Sequence, residues 1–201
     1  MHRSRASICG IALLSLALLS GCGALKRFAY AGPGRDETQQ PERVVAALAL
    51  EPGARVADIG AGGGYFTFRF ADAVGPAGLV YAVDIDPDML EYLRTRVGSE
   101  QRANIEVVEA AADDSRLPAA SVDLIFVCNT YHHLSDRVAY FDALRARLRP
   151  DGRVAIIDYQ EGKHGTNPAV IRTELTDAGY RLLKEETFLE EQSFLIFTPS
   201  P

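Results

Sequence analysis

The sequence predicts one α/β domain built on a mostly parallel sheet, and three observations predict it. From Pro41 onward, short apolar runs alternate with segments of helical spacing. One of those runs, Val122 to Cys128, is nearly continuous in apolar residues, as a strand covered on both faces is. Another, Arg55 to Ile59, leads straight into Gly60-Ala61-Gly62-Gly63-Gly64, where a strand–loop–helix unit takes nucleotides.

The elements follow in order. Val44, Val45, Leu48 and Leu50 form one side of a short helix that Glu51-Pro52-Gly53 ends. After the first strand and the glycine loop, Tyr65 to Val74 returns to helical spacing through Phe66, Phe70 and Val74. Leu79 to Val83 is the second strand. Asp86 and Pro87 then open a helix as N-cap and N1 residue, presenting Met89, Leu90, Leu93 and Val97. Ile105 to Val108 is the third strand and Val122 to Cys128 the fourth. Ser135 caps a helix carrying Val138, Phe141, Leu144 and Leu148, ended by Pro150-Asp151-Gly152. Arg153 to Ile157 is the fifth strand, and Asn167-Pro168 opens a last helix. Runs near Tyr180 to Glu186 and Gln192 to Phe197 are close enough to pair as a hairpin, which gives the sheet one antiparallel member.

Composition excludes several classes. The 201 residues are 47% hydrophobic and 24% charged, which excludes wholesale disorder. A formal charge of −6 argues against a basic nucleic-acid-binding surface, so no nucleic-acid partner is expected. Cys9, Cys22 and Cys128 are too few and too scattered for a disulfide framework or a zinc cage.

The N terminus reads as an address. Arg3 and Arg5 make a positive start, and Ile8 to Leu19 is an apolar stretch suited to a signal peptide but short for a bilayer span of about 30 Å. It ends in Leu19-Ser20-Gly21-Cys22, which resembles the lipoprotein box of bacteria, whose cysteine becomes the lipidated first residue. That resemblance implies a signal peptide over residues 1–21, lipid on Cys22, export to the cell envelope, and a membrane partner reached through lipid. Loss of residues 1–21 removes Arg3 and Arg5 and no acid, leaving −8. Residues 22–40 hold Gly, Pro and polar residues without a sustained period and read as a tether, so the domain proper spans 41–201.

The glycine loop narrows the ligand. A dinucleotide fingerprint wants a third glycine where Tyr65 stands, and a phosphate loop wants Gly-Lys-Ser/Thr at its end. Neither is present. Asp58, two residues before Gly60, would repel a pyrophosphate and welcome a cation. Asp84 ends the second strand, where a carboxylate accepts both hydroxyls of a ribose. Asp113 and Asp114 follow the third strand, either as solvated turn residues or within reach of an adenine amino group.

Val56-Ala57-Asp58-Ile59-Gly60-Ala61-Gly62-Gly63-Gly64 resembles motif I of the class I S-adenosylmethionine-dependent methyltransferases. Val83-Asp84-Ile85-Asp86 is similar to their acidic second motif, and Asp113 to Pro118 to their D-x-x-x-L-P segment. Val122-Asp123-Leu124-Ile125 with Asn129 resembles motif IV. Leu148-Arg149-Pro150-Asp151-Gly152-Arg153 resembles the L-x-P-G-G-x turn, with Asp151 in place of its first glycine. The likeness runs from about 41 to 198 and is nearest to the small-molecule, quinone-biosynthesis type. It implies a single Rossmann-like domain, a seven-stranded sheet with its last strand antiparallel, and helices on both faces. It also implies S-adenosylmethionine as cofactor. Asp58, Gly60, Ala61 and Gly62 would approach the methionine moiety, Asp84 the ribose, Ile85 and Asp113 the adenine, and Asn129 the sulfonium.

Methyl transfer from a sulfonium is an in-line displacement that needs alignment and exclusion of water, with a base only where the nucleophile loses a proton. His132 and His133 follow the fourth strand, where an acceptor would sit, and suit proton removal from a phenol, amine or thiol. The bland alternatives are a histidine packed on the next helix and a polar loop residue. No third ligand stands at a telling spacing, so no metal is expected. Asp158, Tyr159 and His164 follow the fifth strand as pocket candidates, more simply read as solvated loop residues. Cys128 reads as a small core residue. Two functions stay open: a lipid-anchored methyltransferase acting on a small or membrane-associated molecule, and a non-catalytic nucleoside-binding or structural lipoprotein of the same fold. Cys22→Ser is expected to abolish metabolic labelling of the protein by a fatty-acid analogue, and unchanged labelling would overturn the anchor.

Overall fold

The computed structural model describes residues 34–160 and 165–201. The expected signal peptide, Cys22, most of the expected tether and His164 lie outside the described residues. Seven strands, β1 (Arg55–Ile59), β2 (Leu79–Asp84), β3 (Ile105–Glu109), β4 (Val122–Cys128), β5 (Leu148–Tyr159), β6 (Tyr180–Glu186) and β7 (Gln192–Pro199), form one sheet in the order β3-β2-β1-β4-β5-β7-β6. β1 pairs in parallel with β2 and β4, and β7 runs antiparallel between β5 and β6. The expected hairpin and its single reversed strand are both present.

Alternation along the strands makes two cores. On β4, Leu124, Phe126 and Cys128 face one way and Ile125 and Val127 the other. The first face is covered by α2 (Pro41–Leu48), α3 (Thr67–Val74) and α4 (Pro87–Ser99), with Val44, Leu48, Phe70, Val74 and Leu93 wholly buried. There Phe126 meets Phe66 and Phe70 with ring centroids 4.8 and 4.9 Å apart. The second face is covered by α5 (Arg137–Arg145) and α6 (Pro168–Asp177) through Phe141, Leu144, Ile171 and Leu175.

The helix starts follow local chemistry. The Asp86 side chain accepts the Asp88 N–H at 2.9 Å with Pro87 behind it, and Asn167 does the same for Ala169 ahead of Pro168. Four expected boundaries move. Asp136, not Ser135, caps α5 by accepting the Ala139 N–H, because its carboxylate is placed three residues before that donor. The helix expected from Tyr65 begins at Thr67, since the glycine loop continues as turns through Phe66. β5 starts at Leu148 rather than Arg153, running through Pro150-Asp151-Gly152 with a register shift against β4. The end of the expected tether is ordered as α1 (Arg35–Gln39), a five-residue helix too short to leave a period in the sequence. Gln39 is 2% exposed, and the Arg35 guanidinium lies 3.8 Å from the centre of the Tyr65 ring. No helix among the described residues is long and apolar enough to cross a membrane.

Candidate active site

The site forms at the carboxyl ends of β1, β2 and β4. There the loop after β1 crosses toward α3 on one face, while β4 on its other side leads to α5 on the opposite face. A pocket of about 360 Å³ opens between them, within the range of small-molecule sites. The glycine loop is pinned to β2: Gly60 and Ala61 donate to the Val83 carbonyl at 2.8 and 3.1 Å. Gly60 has φ +75°, and a Cβ there would lie 2.1 Å from Thr130 Oγ1, so no other residue lets the loops after β1 and β4 meet.

Asp84 organises the floor. Its Oδ2 accepts the Gly62 N–H at 2.7 Å, and its Oδ1 accepts those of Ile85 and Asp86 at 2.8 and 2.9 Å. Three charge-assisted bonds fix one carboxylate at the pocket wall while lone pairs remain for a ligand. Ile85, 61% exposed, lies at the rim beside Ala110, Ala111 and Ala112, with Leu134 and Tyr140 also lining the space. Asn129 lines it too, at φ +52°, a left-handed conformation that asparagine tolerates best among residues with a side chain beyond Cβ. Its Oδ1 accepts from Gln192 Nε2 at 2.5 Å, so the part of the amide able to donate to a ligand is the –NH₂. Gln192 in turn accepts from Gln39 at 2.8 Å, and Gln39 from Cys128 at 3.2 Å.

The two histidines form a 3₁₀ turn, Tyr131–His133, after β4. Tyr131 is buried and donates to Glu174 on α6 at 2.7 Å, and Arg137 grips the same carboxylate through two bonds of 2.7 Å. His133 lines the pocket, and the His132 ring lies beside it, tilted by 50° with centroids 4.0 Å apart. His132 Nδ1 lies 2.8 Å from Asp158 Oδ1. No group of three His, Cys, Asp or Glu side chains among the described residues is arranged to hold a metal.

The structure brings together Gly60, Gly62, Asp84, Ile85, Asn129 and His133 of the expected set, and Ala61 sits buried within the loop. Asp58, Asp113 and His132 do not line the pocket, His132 lying behind His133. Asp58 is 3% exposed and turns to Thr67, whose hydroxyl donates to it at 2.6 Å. Asp113 is exposed, beyond the Ala110–Ala112 stretch that forms the wall. Asp158 departs from the solvated-loop reading: it is wholly buried in β5. The apolar run from Val154 to Ile157 was the signal for that. Thr130, Leu134, Ser135 and Tyr140 also line the pocket and carry no motif. A larger depression of about 650 Å³ lies at the other end of the sheet, where Arg102 pairs with Asp72 and Glu100, away from the glycine loop and the strand-end carboxylate.

Comparison with known proteins agrees with this geometry. Residues 56–152 match the model of a methyltransferase domain. An arsenite methyltransferase from Halobacterium salinarum is 35% identical over 112 residues, 55% of this chain and 28% of that protein. A ubiquinone/menaquinone biosynthesis C-methyltransferase from Hahella chejuensis is 32% identical over 122 residues, 60% and 48% of the two chains. The chain therefore spans about half or less of the length of these curated relatives. A crystal structure of a SAM-dependent methyltransferase from Aquifex aeolicus superposes with a TM-score of 0.78 at 28% identity, covering 86% of this chain and 96% of that one.

Asp58 generates a test of the site's electrostatics. Burial pushes its carboxyl up to about 6, against the pull of the Thr67 hydroxyl and Arg35. The folded state then keeps a proton that the unfolded chain loses near 3.8, so stability falls as pH rises between those values and stays lowered above them. Asp58→Asn is expected to remove that fall and to stabilise the protein at pH 7.5 by roughly 1–3 kcal/mol. Urea unfolding at pH 4.5 and 7.5 checks it, and an unchanged pH dependence would contradict it.

The pinned glycine loop and the strand-end carboxylate meet on one pocket within residues 56–152, the segment that matches a methyltransferase domain, and the whole fold is similar to that of a SAM-dependent methyltransferase.

Proposed function

We propose that the protein transfers a methyl group from S-adenosylmethionine to a small or membrane-associated acceptor, held at the cell envelope by lipid on Cys22. The observation that carries the transfer is the convergence of Gly62, Asp84, Asn129 and His133 on one pocket. The cofactor supplies a methyl group activated on a sulfonium. The residues present fit it: Asp84 would take the ribose hydroxyls, and Ile85 with Ala110, Ala111 and Ala112 would border the adenine. Gly60 and Gly62 would let the methionine moiety approach backbone, and the Asn129 amide would lie near the sulfonium. The Tyr131–His133 turn, braced by Glu174, would shape the acceptor side and keep it dry, leaving alignment as the protein's main task. One relative is named for arsenite and another for quinone biosynthesis, which supports a small-molecule acceptor here.

The address at residues 1–22 favours a second reading, a domain that binds the nucleoside in the envelope without turnover. Calorimetry and transfer of labelled methyl into a cell-envelope extract separate the two. We expect S-adenosylmethionine to bind, Asp84→Ala to weaken it by roughly 10- to 100-fold through loss of hydrogen bonds to a charged group, and labelled product to disappear in the variant. Binding without labelled product would favour the second reading, and no heat would sink both.

A further inference from the structure

The pairing of His132 with Asp158 bears on what kind of acceptor is used. The two residues stand 26 positions apart, after the end of β4 and near the end of β5, and only the parallel pairing of those strands brings them together. Asp158 is 0% exposed, and its Oδ2 has no hydrogen-bond partner among the described residues. Leaving a carboxylate oxygen buried in that way is unfavourable, so the imidazole on Oδ1 is its main compensation. Burial pushes the Asp158 carboxyl up, and His132 draws it back down, with smaller help from Thr166 and the Tyr159 backbone. Cys128, the buried thiol nearby on β4, is pushed far up by burial and stays neutral. His132 itself is 10% exposed and lies 4.0 Å, ring centre to ring centre, from the pocket-lining His133, so the pair begins in the core and ends beside the pocket.

An aspartate accepting from Nδ1 sets the tautomer: the proton sits on Nδ1, and Nε2 is the basic nitrogen. A proton taken up at Nε2 makes an imidazolium against a buried carboxylate, the arrangement that stabilises a general base as it works. Acceptors differ in how much they gain from this. A thiol, ordinarily near 8.5, ionises readily by itself, and a neutral amine attacks through its lone pair before losing a proton. A phenol, ordinarily near 10, is a weak nucleophile until its proton goes.

On the methyl-transfer reading above, we propose that Asp158 is a positioning residue that makes His132 the general base, and that the acceptor is a phenolic hydroxyl compound. The acceptor's O–H bond breaks, its proton passes to His132 Nε2, and the oxygen's electron pair forms the bond to the methyl carbon. The pair of the broken carbon–sulfur bond stays on sulfur, which becomes a neutral thioether. The positive charge lost from sulfur is matched by the imidazolium charge beside Asp158.

The test titrates 4-nitrophenol, coloured only when ionised, with the full chain saturated with S-adenosylhomocysteine. The bound probe is expected to ionise about one pH unit below the free probe, a tenfold change in acidity. His132→Gln and Asp158→Asn should each abolish that shift while S-adenosylhomocysteine affinity stays within about twofold, a separation that a purely structural role for the pair would not give. An identical midpoint with and without the wild-type protein would overturn the proposal, as would a shift that survives in Asp158→Asn. Should Asp158→Asn not fold, the histidine end of the pair decides, since a shift retained in His132→Gln overturns it equally. Failure of the wild-type protein to bind S-adenosylhomocysteine would instead sink the methyl-transfer reading on which the proposal rests.

Discussion

Strand β1 is bonded on both edges, to β2 and to β4, and everything functional in this protein depends on that placement. Crossover connections between parallel strands are right-handed, so a chain that adds β2 and β3 on one side of β1 and β4 and β5 on the other must put its helices on opposite faces. The loops leaving β1 and β4 therefore diverge, and the crevice between them needs no insertion to form it. Cores on both faces hold β1 rigidly, from Val56 on one side to Ala57 and Ile59 on the other. The pocket is a consequence of strand order before it is a consequence of any side chain.

Side chains then adapt that crevice to a particular chemistry. Asp84 ties the glycine loop to the end of β2 through Gly62, so loop and carboxylate form one unit. The chain Cys128, Gln39, Gln192, Asn129 ties α1 and β7 to the residue at the end of β4, with each amide's orientation set by the next. Fully bonded buried networks of this kind rigidify what they touch. Among the described residues only Asp158 has a buried side-chain oxygen left unbonded, and it sits against His132, whose neighbour His133 lines the pocket.

Much of this was legible in the residues. The buried strands announced themselves by apolar runs, and Asp86-Pro87 and Asn167-Pro168 marked helix starts because capping chemistry is local. Gly60, Gly62 and Asp84 were legible because a tight turn beside a strand-end acid has few other uses. What stayed hidden depends on neighbours distant in sequence. Asp58 reads as a ligand contact until Thr67 is found beside it. Gln39 reads as part of a polar tether until β7 supplies Gln192, 153 residues later. Asp158 reads as a loop residue unless the strand before it is extended by one position and β4 is set alongside.

The central claim is that S-adenosylmethionine sits against the loop of residues 60–64 and the acidic end of β2. Amide hydrogen exchange with and without S-adenosylmethionine measures it directly, since bound backbone opens less often. Slower exchange confined to residues 60–64, 84–86, 110–112 and 129–135 is the predicted result. Protection elsewhere, at the Gly75–Asn104 depression for instance, or no protection at all, would contradict the account.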